Sequence, residues 1–147
     1  METRLITENR YRYMPLLLLA DPDRSMIMRY FVQGEMYVCF DRDAAVGVCV
    51  MLKNGAREYE IKNLAVAKLY QRKGIGGRLL EDVVARYAGK FEKILVGTSD
   101  VGAAFYQKHG FEFSHIVKNF YVDNYPHPIF EENGQQCIDM IYFVRKI

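Results

Sequence analysis

The sequence is poor in the features that would take it out of the ordinary globular class. Its three cysteines, Cys39, Cys49 and Cys137, are odd in number, far apart and set in apolar runs. That pattern fits reduced core thiols in a cytoplasmic protein better than a disulfide framework or a zinc site, so no metal is expected. Long hydrophobic runs are also missing. The longest, Met14 to Ala20, has seven residues, contains Pro15 and ends at Asp21, whereas a bilayer span needs ~20. Arg10 and Arg12 precede that run, but Asp21-Pro22-Asp23 follow it where a signal peptide needs small residues, so neither a targeting segment nor a membrane partner is expected. Charge of one sign is lacking as well: 20 Lys+Arg against 18 Asp+Glu leave a net +2, too little for an extended basic face, and nucleic acid is not an expected partner.

Linkers, repeats and charge blocks are absent too, so residues 1–147 are expected to form a single domain. The chain is 50% hydrophobic and 26% charged, an ordinary soluble mix that excludes disordered, collagen-like and coiled-coil classes. At this length about two-thirds of the unfolded surface can be buried, enough for one core.

Asp21-Pro22 predicts a helix start, with Asp21 as N-cap and Pro22 at the first helical position, and Gly34 predicts its end. Met36 to Phe40 and Ala45 to Leu52 read as an antiparallel hairpin joined by Asp41-Arg42-Asp43-Ala44. Glu58 to Val66 alternates as a third strand, with Glu60, Lys62 and Leu64 on one face and Tyr59, Ile61, Asn63 and Ala65 on the other. From Gly76 the period changes: Leu79, Leu80, Val83, Val84 and Tyr87 form one helical stripe that Gly89 ends. Further along, Lys93 to Thr98 predicts a strand, Val101 to Lys108 a helix, Phe111 to Val122 a strand and Cys137 to Val144 the last strand. The expected fold is α/β, a mixed and largely antiparallel sheet flanked by helices.

Between the third strand and the long helix lies Gln71, Arg72, Lys73, Gly74, Ile75, Gly76, Gly77, Arg78. Glycines let the backbone approach a ligand closely, and a helix N-terminus carries about half a positive charge that favours phosphate oxygens. A Walker loop would end in Gly-Lys-Ser/Thr, but Gly77 is followed by Arg78 and Leu79; a dinucleotide fingerprint would put Gly where Leu79 stands. Taken alone, such a turn also describes a plain connector with solvated charges. Its surroundings add to it: Leu64-Ala65-Val66 precedes it, and Phe105-Tyr106-Gln107-Lys108-His109-Gly110-Phe111 follows downstream. These three spaced motifs resemble the GCN5-related N-acetyltransferase (GNAT) superfamily over about half the chain.

The resemblance implies an acetyl-CoA-dependent N-acetyltransferase whose acceptor is a primary amine of a small molecule or peptide. By it, Leu64, Ala65 and Val66 hold the pantetheine arm through backbone hydrogen bonds, and Gln71 to Arg78 hold the coenzyme A pyrophosphate. Ser99 and Gly102 stand where the family often has Asn and Ala, which leaves Ser99 as a pantetheine donor. Lys62 stands where Glu is frequent and Glu60 lies two residues earlier on the same face. Two other readings stay open: a non-catalytic acyl-CoA-binding sensor, and an acyltransferase for a longer acyl-CoA.

Acetyl transfer needs a neutral amine, a polarised carbonyl and a proton for the departing thiolate. A backbone N–H near Val66 suits the carbonyl. Tyr106, with an ordinary pKa of ~10, suits the sulfur, and Glu60 is the candidate base. No cysteine stands beside a paired base, which favours direct transfer in a ternary complex. The segment Asp123 to Gly134 is long enough to line an acceptor site: Asp123, Glu131 and Glu132 would attract a cation, and Tyr125 or Phe130 would stack on it. The same exposed aromatics also fit a homodimer contact.

Overall fold

The structure is a computed structural model and describes residues 1–147. The chain divides into two compact units, Met1–Glu92 with Ile147, and Lys93–Lys146.

In the first unit, β1 (Glu2–Ile6), β2 (Glu35–Asp41), β3 (Ala44–Lys53) and β4 (Glu58–Val66) are joined in sequence order by antiparallel pairing. The β2–β3 hairpin turns as expected, with Arg42 in the left-handed region at φ 57°. Helices α1 (Met14–Ala20) and α2 (Arg24–Phe31) pack Leu17, Ile27 and Phe31 on Met36, Val38, Val48 and Val50. Successive strand residues face opposite ways, so Tyr37 and Cys39 point to the other face, where α3 (Ile75–Tyr87) lies and Tyr87 hydrogen-bonds Tyr37 at 2.9 Å. Both faces of β2 are covered, which explains its continuous apolar run.

One expectation needs correction here, the helix start at Asp21-Pro22. The apolar run Met14 to Ala20 is itself a helix, ended by extended Asp21, since the residue before a proline is pushed out of the helical region. The cap of the next helix is therefore Asp23, not Asp21: its Oδ1 accepts from the N–H groups of Ser25 and Met26 at 2.8 and 3.2 Å, and Pro22 stands before the cap.

In the second unit, β5 (Lys93–Thr98), β9 (Met140–Lys146) and β6 (Glu112–Val117) pair antiparallel in that spatial order. The remaining elements are α4 (Asp100–Lys108), α5 (Phe120–Asn124) and a hairpin of β7 (Ile129–Phe130) and β8 (Gln136–Cys137). The expected strand from Phe111 to Val122 stops at Val117, because Asn119 turns left-handed at φ 58° and the chain enters α5. The expected strand from Cys137 to Val144 is likewise split. Asn119 N–H donates to Asp139 Oδ1 at 2.8 Å and Tyr121 N–H to the Ile138 carbonyl at 3.0 Å, so α5 occupies the break between β8 and β9.

Two mixed α/β units with antiparallel strands flanked by helices realise the expected fold class. No helix is long and apolar enough to cross a membrane.

Candidate functional site

The first unit carries the Gly-rich loop. After β4, Ala67 N–H returns to the Val46 carbonyl at 2.8 Å, and a short 3-10 turn, Lys68–Tyr70, leads outward. Arg72 takes a left-handed conformation at φ 61° and Gly74 another at φ 80°, which aims the chain into α3. Gly74 caps that helix without any side-chain hydrogen bond, and the first intrahelical bond runs from Arg78 N–H to the Gly74 carbonyl. The N–H groups of Ile75, Gly76 and Gly77 therefore have no partner within the helix. A side chain built on Gly74 would meet nothing within 4 Å, so the cradle is open. Arg72 and Lys73 are exposed on its flank, Lys73 lying 5.7 Å from the centre of the Tyr70 ring.

Two loop residues are engaged elsewhere. Gln71 Nε2 donates to the Val66 carbonyl at 2.9 Å, tying the loop to the strand end. The Arg78 guanidinium donates to the Met1 carbonyl at 2.9 Å and lies 3.9 Å from Asp82, so its side chain is not among the loop cations.

Upstream on β4, the β3–β4 register steps from Val50 opposite Asn63 to Met51 opposite Ile61 and leaves Lys62 as the extra residue of a bulge. Lys62 Nζ lies 3.0 Å from Glu60 Oε2, and the Glu60 side chain is only 12% exposed. The inner face of the same strand carries Asn63, whose amide donates to the Leu17 carbonyl and to the Tyr30 hydroxyl, both at 3.0 Å. That clamp of β4 onto α1 and α2 was missed from sequence, because an Asn in an alternating strand carries no signal of its partners. Leu64 and Val66 are half-buried beside buried Ala65.

The second unit carries Tyr106, Ser99 and a pocket of about 260 Å³. Tyr106 sits on α4 at 9% exposure, its ring edge-on to Phe105 and Phe111. Ser99, just before α4, donates its hydroxyl to Glu131 Oε1, which also accepts from the Cys137 thiol at 3.3 Å. Gln135 Nε2 donates to Asp100 Oδ2 at 3.2 Å. With Asp139 these carboxylates border one pocket, walled by Val101, Ile116, Ile138 and Ile141. No basic residue lines it, and none of the chain's ion pairs involves its carboxylates.

Of the expected acceptor residues, then, only Glu131 belongs to the pocket. Asp123 is exposed on α5, Tyr125 stacks on Tyr121 with ring centres 5.7 Å apart, and Glu132 faces water. Asp100 and Asp139 border the pocket with Glu131, and sequence reasoning singled out neither. Asp100 stands just before the helix expected from Val101, and Asp139 lay inside an expected strand.

All three cysteines are free and buried. Burial pushes the Cys49 thiol up to about 12. Burial, then the Glu131 carboxylate, does the same to Cys137.

A family model described as an acetyltransferase (GNAT) domain matches residues 32–113. The chain is 37% identical over 134 residues to the uncharacterized N-acetyltransferase YvbK of Bacillus subtilis (strain 168), covering 86% of this chain and 83% of that protein. Among solved structures it resembles a GNAT family acetyltransferase from Elizabethkingia anophelis with acetyl-CoA bound, at 39% identity and TM-score 0.93, covering 99% of this chain and 97% of that one. It also resembles a Bacillus subtilis acetyltransferase in complex with CoA, at 33% identity and TM-score 0.91, covering 99% and 98%.

Proposed function

Because the chain belongs to the GNAT acetyltransferase family, we propose that it is an N-acetyltransferase moving acetyl from acetyl-CoA directly to a cationic primary amine with an aliphatic body. The observation that carries the acceptor class is the second unit's pocket. Asp100, Glu131 and Asp139 meet there over aliphatic walls with no compensating basic residue, and an ammonium group supplies what that lining lacks.

The donor reading is supported by the loop. Free N–H groups of the first α3 turn, an open Gly74 and the flanking Arg72 and Lys73 fit a pyrophosphate. The Gln71–Val66 bond fixes that loop to the strand end whose backbone would hold the pantetheine arm. The Arg78 side chain is left out of this assignment, and so is Ser99, whose hydroxyl already serves Glu131.

In the reaction the amine nitrogen, once neutral, attacks the thioester carbonyl; a C–N bond forms and the C–S bond breaks. Glu60, held in place by Lys62, takes the amine proton directly or through water. Tyr106 returns a proton to the thiolate. An acetyl-cysteine intermediate is disfavoured, since thiols pushed up to about 12 carry almost no thiolate at neutral pH.

The test is acetyl-CoA turnover, read as free thiol, against alkyl amines, amino acids, peptide N-termini and neutral amides. Fastest release with cationic alkyl amines supports the reading. Release that is independent of any acceptor sinks it.

A further inference from the structure

The first unit holds a cavity of its own, about 320 Å³, where the starts of β2 and β4 meet the C-terminal end of α3. At ~1.5 Å per residue, the 13 residues of α3 put it ~18 Å from the Gly74 loop. It shares no residue with that loop or with the acidic pocket. Its floor is aromatic. Tyr59 packs on Tyr87 and on Phe91 with ring centres 4.5 and 4.6 Å apart, and Tyr37 stands edge-on to Tyr87 at 6.1 Å.

Glu35 shares a face of β2 with Tyr37 by alternation. Tyr87 donates its hydroxyl to Glu35 Oε1 at 3.1 Å, so in their own 2.9 Å bond Tyr37 donates to Tyr87. Burial foremost, and then Glu35, pushes the Tyr59 hydroxyl up to about 12, and burial raises Tyr37 and Tyr87 as well. All three stay protonated at neutral pH, which leaves Glu35 as the one anion of the lining. The rim has the opposite sign. Arg86 and Lys90, both exposed, border the same cavity, and the Arg86 guanidinium lies 5.1 Å from the centre of the Tyr37 ring while donating to the Thr3 carbonyl at 2.8 Å. None of the chain's four ion pairs joins either cation to Glu35. One cavity thus holds a half-buried carboxylate and two cations without letting them neutralise each other.

We infer that this cavity binds a small zwitterion of the α-amino acid class, its ammonium group on Glu35 among the aromatic rings and its carboxylate on Arg86 and Lys90. A partly desolvated charge is costly until it is paired. A lone cation would satisfy Glu35 but meet the basic rim, and a lone anion would meet Glu35, whereas a molecule with both charges finds a partner for each. The chemistry of the walls agrees: aromatic faces attract an ammonium group, and a guanidinium can hold a carboxylate through two hydrogen bonds. A volume near 320 Å³ lies at the small end of ligand sites. That suits an amino acid whose apolar side chain rests on Phe91.

Calorimetry with L-phenylalanine on the full chain, without acetyl-CoA, tests this. Binding is expected with a Kd below about 1 mM. Asp100→Asn/Glu131→Gln should bind phenylalanine as the parent does, which separates this cavity from the acidic pocket. In that same variant phenethylamine and 3-phenylpropanoate, each with one of the two charges, should bind at least about tenfold more weakly, since each leaves one pole unpaired. Glu35→Gln keeps an oxygen for Tyr87 and removes the negative charge; Arg86→Gln/Lys90→Gln removes the positive ones. Each should weaken phenylalanine by about tenfold, and Glu35→Gln should also lose the preference for phenylalanine over 3-phenylpropanoate, a change that loosened packing would not produce. Melting temperatures verify folding, and either variant suffices if the other misfolds. No binding at tens of millimolar phenylalanine, equal binding of a singly charged analogue, loss of binding in Asp100→Asn/Glu131→Gln, or parental affinity in the folded charge variants would each overturn the inference.

Discussion

The Ser99 hydroxyl donates to the same Glu131 oxygen that receives the Cys137 thiol. One carboxylate thus joins the start of α4 to the β7–β8 hairpin, and Ser99 serves the wall of the acidic pocket. Removing its hydroxyl should loosen that wall without touching the donor. For Ser99→Ala the acetyl-CoA dissociation constant is expected within about twofold of the parent, with the acceptor KM raised. Calorimetry and steady-state kinetics read the two separately, and a selective loss of acetyl-CoA affinity would return Ser99 to the pantetheine arm.

The loop is tested by charge. Gly76→Asp places a carboxylate in the first turn of α3, where it favours the helix by roughly 0.3–1 kcal/mol while opposing an incoming phosphate. The variant should melt at or above the parental temperature and yet bind acetyl-CoA at least about tenfold more weakly by calorimetry. Unchanged affinity in the folded variant would remove the loop from the donor site.

Stability should fall at high pH. Burial pushes the Cys49 thiol up to about 12 from an ordinary 9.0, so the folded state favours the protonated form. That contribution is complete below pH 9 and is lost as pH rises toward 12, by up to ~1.4 kcal/mol per pH unit for one group. Cys49→Ala loses packing at every pH but should show a shallower decline. Urea titrations of both proteins under reducing conditions from pH 8 to 11 compare the slopes, and parallel curves would assign the alkaline loss to other groups.

Tyr106 lies edge-on between Phe105 and Phe111, so Tyr106→Phe keeps the ring packing and removes the hydroxyl. A positioned general acid is worth about 10²- to 10⁴-fold. The single-turnover rate should fall by at least the lower figure with acetyl-CoA affinity retained. Transfer at the parental rate would make Tyr106 a packing residue.

Much of the fold was legible because its strongest signals are periodic. The alternation of Glu58–Val66, the stripe of α3 and the β2–β3 hairpin appear almost as the residues imply. What the sequence hid were breaks made by tertiary partners. The aromatic run after Phe111 looks like one long strand until Asn119 bonds Asp139, and the run after Cys137 looks continuous until α5 takes the Ile138 carbonyl. The site divided along the same line. The conformation of the Gly-rich loop is local and follows from its glycines, whereas the pocket joins Asp100, Glu131 and Asp139 from three separate segments. The Arg78 charge counted toward the loop is turned to Met1, a residue far from it in sequence.

The central claim, acetyl transfer from acetyl-CoA to a cationic amine seated on the second unit's carboxylates, is tested most directly by steady-state kinetics of the parent and Asp100→Asn/Glu131→Gln on an alkyl amine. Neutralising both groups removes attraction for the acceptor and leaves the α3 loop untouched. The acceptor KM should rise by about tenfold or more while the acetyl-CoA KM stays within about twofold, a split worth roughly 1.4 kcal/mol of acceptor binding. An unchanged acceptor KM, a rise confined to acetyl-CoA, or a parent that releases no CoA with any amine would contradict it.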